Sequence, residues 1–113
     1  MNIKDYKQNG VVVILLEGTL LGDTDGTPLL DLINGHIQQG EKNFVVDMGD
    51  LRHMNSSGLG ILINALNKVR STGGELLIAN TSDAIKKLFI ITKLNSIFTL
   101  ISTIQEGLEK LKS

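Results

Sequence analysis

The chain has no cysteine and no tryptophan, and only one proline, one tyrosine and three phenylalanines among its 113 residues. Without cysteine there are no disulfides, no thiolate metal sites and no cysteine nucleophile. Aromatic residues make up 4% of a chain that is 42% hydrophobic, so the core of this single-domain-sized sequence must be aliphatic. An excess of charge is missing too. Eleven Lys and Arg against twelve Asp and Glu leave a formal net charge of −1, with the bases scattered, which gives no electrostatic case for nucleic acid or an anionic membrane surface. The longest purely apolar run is Val11 to Leu16, far short of the roughly 20 residues a membrane span requires. Met1-Asn2-Ile3-Lys4-Asp5 places a charged pair where a signal peptide would be apolar. The expectation is a cytoplasmic protein with no direct membrane insertion.

Enzyme signatures are also lacking. Gly58-Leu59-Gly60 begins like a dinucleotide fingerprint, but Ile63 stands where the third glycine belongs, and no Gly-Lys-Ser/Thr phosphate loop occurs. Ser56 has Met54 and Gly58 two residues away on either side, so the hydrolase elbow fails on one side. His36 and His53 are too few for a typical zinc site. His53 lies three residues before Ser56 on the same predicted loop, with no third group identifiable to orient its imidazole. The paired carboxylates Asp23 with Asp25 and Asp47 with Asp50 read as turn formers rather than cation ligands. Asn55-Ser56-Ser57 and Asn80-Thr81-Ser82 match the glycosylation sequon, which without an export signal is coincidence. No catalysis, cofactor or metal is expected.

What is present is a regular alternation of elements. Ile3 to Gln8 suits an edge strand, and Asn9-Gly10 is the strongest short hairpin signal, because a type I′ turn needs positive φ at both central residues. Val11 to Leu16 is apolar on both faces and reads as a covered central strand. Gly18 to Gly26 reads as a loop. Thr27-Pro28 opens a helix with Leu29, Ile33 and Ile37 on one face, stopping near Gly40. Asn43 to Met48 is a strand, Gly49 to Asn55 a loop, and Ser56 begins a helix to Arg70, ended by Gly73-Gly74. Glu75 to Ala79 is a strand, Ser82 to about Thr92 a helix, and Ile97 to Leu100 a short last strand. Thr103 and Glu106 fit a capping box for the final helix. The order ββαβαβα(β)α predicts one α/β domain over residues 1–113, with a mixed sheet of four to five strands and about four helices.

The segment from Asp47 to Leu62 carries the functional signal. It delivers the chain from a buried strand through a loop to a helix that opens with two hydroxyls, Ser56 and Ser57. A serine there can serve as an N-cap, worth about 1 kcal/mol over alanine. The same place also suits a phosphate, because free N–H groups and the positive end of the helix dipole face it. Phosphorylating such a serine adds nearly two negative charges without disturbing the helix, so fold survives while binding changes.

This stretch resembles the STAS family, whose anti-sigma factor antagonists carry a strand, Asp-Leu, a short loop, and Met-Asp-Ser-Ser-Gly-Leu-Gly at a helix start. Here Asp50-Leu51 and Met54-Asn55-Ser56-Ser57-Gly58-Leu59-Gly60 occupy those places. Gly73-Gly74-Glu75-Leu76 and Ala84-Ile85-Lys86-Lys87-Leu88-Phe89 look like further family segments, so the likeness spans essentially the whole chain. The resemblance implies a bacterial anti-sigma factor antagonist phosphorylated at Ser56. Unphosphorylated, it would bind an anti-sigma factor that is also a serine kinase and so free a sigma factor for transcription. A metal-dependent serine phosphatase would reverse the modification, and ATP and Mg²⁺ would belong to the kinase. The implied partner surface comprises Asp23, Asn55, Ser56, Ser57, Gly58 and Leu59, with the adjacent loop from Leu20 to Asp25, Leu59 being mostly core and Ser57 a cap or a direct contact. Two departures stand out: Asn55 replaces the family's Asp, and Leu21 takes the place of the Asp in Gly-x-Leu-Asp, with Asp23 two residues later. STAS modules also serve as constitutive subunits beside transporters or in lipid-transport complexes, which is the alternative function.

Overall fold

Asn9 and Gly10 turn the chain with φ values of 56° and 78°, the positive pair that a type I′ hairpin turn needs. Strand β1 (Asn2–Gln8) thereby folds back antiparallel on β2 (Val11–Leu20). The computed structural model describes residues 1–111, with the side chains of all of these except residues 23–25. After the hairpin come α1 (Asp23–Gln38), β3 (Asn43–Met54), α2 (Ser56–Ser71), β4 (Glu75–Ala79), α3 (Asp83–Ile91), β5 (Thr99–Ile101) and α4 (Ile104–Lys110). The strands lie side by side in the order β1-β2-β3-β4-β5, and every pairing after the hairpin is parallel. Parallel neighbours need a crossover, and α1, α2 and α3 supply one each. The predicted α/β domain with a mixed sheet and four helices is what forms.

Alternate side chains of the central strands feed two cores, because successive residues of a strand point to opposite faces. Val12, Ile14, Phe44, Val46, Leu76 and Ile78 pack under α1, α2 and α3 with Leu29, Ile33, Leu62, Leu66, Ile85 and Phe89. Val11, Val13, Val45, Leu77 and Ile101 form the opposite face, closed by Leu108 with Ile104 and Leu111. This double cover is why Val11 to Leu16 is apolar throughout.

Four boundaries differ from the sequence reading. Both β2 and β3 run on through stretches expected to be loops, to Leu20 and Met54, because each supplies the other's hydrogen-bond partners there. Helix α1 begins at Asp23 rather than at Thr27-Pro28 and holds Pro28 inside it. Its first turn closes through the Gly26 N–H donating to the Gly22 carbonyl at 2.8 Å, a bond that asks nothing of Pro28. The last strand is Thr99–Ile101, preceded by a 3₁₀ turn at Leu94–Ser96, and not Ile97 to Leu100.

Candidate functional site at the start of helix α2

Strand β3 parts from β4 after the Asp47–Ala79 pair but stays with β2 as far as Leu20–Met54. Two register shifts interrupt this arm. Leu15 to Glu17 faces Asp47 to Asp50, and Gly18 to Thr19 faces Leu51 to His53, each adding one residue on the β3 side. Bulges of this kind bend a strand and sharpen its twist. The first is held by Asp47, whose Oδ1 accepts from the Gly49 N–H at 2.7 Å while Oδ2 accepts from Asn80 Nδ2 at 2.9 Å.

The arm ends at Asn55, in extended conformation with φ −116° and ψ −175°, and Asn55 is the N-cap of α2. Its Oδ1 accepts from the Gly58 N–H at 2.9 Å, and its carbonyl accepts from the Leu59 N–H at 3.0 Å. This corrects the expectation that Ser56 or Ser57 caps the helix. Asparagine caps as well as serine does, and here it comes first in the chain. Ser56 and Ser57 are therefore the first two helical residues, both exposed, and neither hydroxyl bonds to a described residue.

Gly58 and Leu59 are buried, Leu59 to 2% exposure; of the implied partner surface they supply the packing beneath it. A Cβ on Gly58 would run into the Leu20 carbonyl oxygen and come within 3.0 Å of Met54 Cγ, so only glycine lets the helix start seat against the end of β2. Gly22, at φ 129°, turns the chain from β2 into α1, and a Cβ there would lie 3.8 Å from Ser57 Cβ. The expected neighbourhood of the helix start and the Leu20–Asp25 segment is thus formed at Leu20, Gly22, Ser57 and Gly58. The Asp23 side chain, named as a partner contact, lies outside the described residues.

The electrostatics of this corner favour an anion. The first turn of α2 has no acidic residue, and the positive end of the helix dipole lies there. With the Gly58 and Leu59 N–H groups engaged by Asn55, those of Ser56 and Ser57 remain as the orphan donors of the helix. His53 is exposed, as expected of a solvated side chain, although it lies in strand β3 and not in a loop. Leu21, within the Leu20–Asp25 loop expected to adjoin the helix start and beside Gly22, is 49% exposed. Its position in Gly-x-Leu-Asp marked it as a departure, but a leucine in a loop carries no local signal that it faces solvent.

The model of the STAS domain matches residues 2–107. The chain belongs to the STAS domain family. Within it, the anti-sigma-B factor antagonist of Staphylococcus aureus is 32% identical over 98 residues, covering 86% of this chain and 89% of that protein. The anti-sigma factor antagonist SpoIIAA in its unphosphorylated form gives a TM-score of 0.76 at 20% identity, over 99% of both chains. The Bacillus cell fate determinant SpoIIAA in its phosphorylated form gives 0.74 at 22% identity, over 96% of this chain and 98% of that one. A sulfate transporter family protein from Wolinella succinogenes gives 0.71 at 16% identity, over 91% of this chain and 85% of that one. These structural likenesses carry the STAS fold. Among the described residues no helix is long and apolar enough to cross a membrane.

Proposed function

We propose that this STAS domain is an anti-sigma factor antagonist switched by phosphorylation at Ser56. Unphosphorylated, it sequesters an anti-sigma factor with serine kinase activity in the cytoplasm and releases the sigma factor. Phosphorylated, it lets go, until a metal-dependent serine phosphatase restores it. The chain is substrate and binding partner, not an enzyme, and holds no cofactor of its own. The observation that carries this reading is the exposed Ser56 hydroxyl at the first position of α2, free of structural duty because Asn55 does the capping. A phosphate there meets two orphan N–H groups and no carboxylate of the first turn. Its charge would be felt by any partner seated across Ser56, Ser57 and Leu21. The identity to the S. aureus antagonist supports the role. Incubation with the cognate serine kinase and ATP, followed by mass spectrometry, tests it: one phosphate is expected on the wild type and none on Ser56→Ala. A chain left unmodified, or modified equally in the variant, ends this reading.

A second reading keeps the fold and drops the switch: a constitutive subunit of a transporter or lipid-transport complex. Asn55 favours it, since the serine lacks the adjacent carboxylate, and the fold occurs in a sulfate transporter family protein. Co-purification with a membrane transporter rather than a soluble kinase would decide for it.

A further inference from the structure

Helix α3 buries Ile85 and Phe89 and turns its last residues outward. Ile90 is 54% exposed and Ile91 67% exposed, and Ile97, just past the 3₁₀ turn, is 43% exposed. Such exposure is unusual for isoleucine, and these residues fall within one short stretch of chain. The same stretch is basic. No acidic residue occurs between Asp83 and Glu106, whereas Lys86, Lys87 and Lys93 do, all three exposed. Lys86 precedes Ile90 by four residues and Lys87 precedes Ile91 by four, so on the helix each lysine neighbours one isoleucine.

This surface is remote from Ser56. The Arg70 guanidinium, in the last turn of α2, donates to the Ile97 carbonyl at 3.0 Å and to Glu75 at the start of β4 at 3.2 Å. Ile97 therefore lies at the far end of α2 from Ser56, about 20 Å away at the helical rise per residue. A partner seated on the Ser56 corner leaves it open.

We propose that the Ile90–Ile91–Ile97 surface is a second docking site, and that it takes an acidic segment of another protein carrying aliphatic side chains among its carboxylates. Charge selects this occupant. A second copy of the chain, paired symmetrically, would set Lys86, Lys87 and Lys93 against themselves. An anionic membrane would need a helix able to lie with its apolar face in the bilayer interface, but on α3 Ile85 and Phe89 are sunk in the core and Leu88 packs half-buried against it. Exposed isoleucines interspersed with lysines along one stretch of chain suit aliphatic side chains among carboxylates.

The test titrates the isotope-labelled full chain, followed by NMR, with a synthetic amphipathic peptide that has leucines on one face and glutamates on the other. Its lysine counterpart, phosphatidylglycerol vesicles and the chain's own self-association by sedimentation serve as the other arms. Shifts confined to residues 86–98 are expected with the glutamate peptide, weakening with salt and weaker by about tenfold or more in the Ile90→Gln, Ile91→Gln double variant. Reversing the charges with Lys86→Glu, Lys87→Glu and Lys93→Glu is expected to move the preference to the lysine peptide. Equal binding of both peptides by the wild type, binding of vesicles in place of the peptide, or self-association abolished by Ile91→Gln would each overturn the proposal. A Ser56→Glu variant is expected to bind the peptide unchanged, so this site stands or falls apart from the phosphorylation switch.

Discussion

The Asn55 carboxamide oxygen takes the Gly58 N–H at 2.9 Å, and this one bond relieves both neighbouring serines of any part in holding helix α2. Asn55→Ala is therefore expected to cost about 1 kcal/mol of stability, while Ser56→Ala stays within about 0.5 kcal/mol of the wild type. Urea denaturation of the two variants measures the difference. If Ser56→Ala proved the more damaging, the cap would have to be reassigned to the serine, and Ser56 would no longer be free for modification.

Two glycines of the same helix should respond in opposite directions to alanine. Gly58 has the Leu20 carbonyl and Met54 where a Cβ would go, and backbone yields poorly, so Gly58→Ala is expected to destabilise by about 1–3 kcal/mol. Gly60 is exposed with nothing near its would-be Cβ. There alanine only removes chain freedom from the unfolded state, and Gly60→Ala should stabilise by about 0.5–1 kcal/mol. Thermal unfolding of both gives the signs directly.

The elements whose cause is local were legible in the sequence. Asn9-Gly10 forms its hairpin because positive φ is intrinsic to those residues, and Thr103 caps α4 through the Glu106 N–H at 3.1 Å as its spacing foretold. Glu75–Ala79 is a strand with the expected bounds. The β2–β3 arm was not legible, because Gly18 and Asp50 are loop formers by propensity and are kept extended by pairing, across two bulges, with residues over thirty positions away. The site divides the same way. Ser56 at a helix start follows from local pattern, but the approach of Gly22 to Ser57 and the exposure of Leu21 come from tertiary packing.

A negative charge at Ser56 should change binding and spare the fold. Ser56→Glu places a carboxylate at the first position of α2, where the dipole favours it by about 0.3–1 kcal/mol. The variant is expected to melt at or slightly above the wild-type temperature and to lose affinity for the anti-sigma factor by about tenfold or more. Calorimetry on the same sample checks both numbers. A variant that unfolds, or that binds as tightly as the wild type, contradicts the switch.

On the proposed docking surface Leu21 is an exposed apolar side chain. Being 49% exposed, it gives little to the core, so Leu21→Asp should leave stability within about 0.5 kcal/mol. An aliphatic anchor at the edge of a docking surface matters more to the complex, and the same variant is expected to weaken anti-sigma factor binding by about tenfold. Unchanged affinity in a binding titration would put the partner elsewhere.

Asp47 governs the site from a distance. Its two oxygens hold the Gly49 N–H at 2.7 Å and the Asn80 amide at 2.9 Å, so it fixes the bulge where β3 leaves β4 and sets out toward Ser56. Asp47→Ala leaves both donors without this partner and is expected to cost about 1–2 kcal/mol. Because the arm beyond Asp47 pairs only with β2, the loss should show first as faster hydrogen exchange at Gly49 to Met54, ahead of the central strand residues 44–46. Asp47→Asn keeps one acceptor oxygen and should recover part of the protection. Uniformly faster exchange across all of β3 would mean that the aspartate serves the whole strand and not the arm that carries the serine.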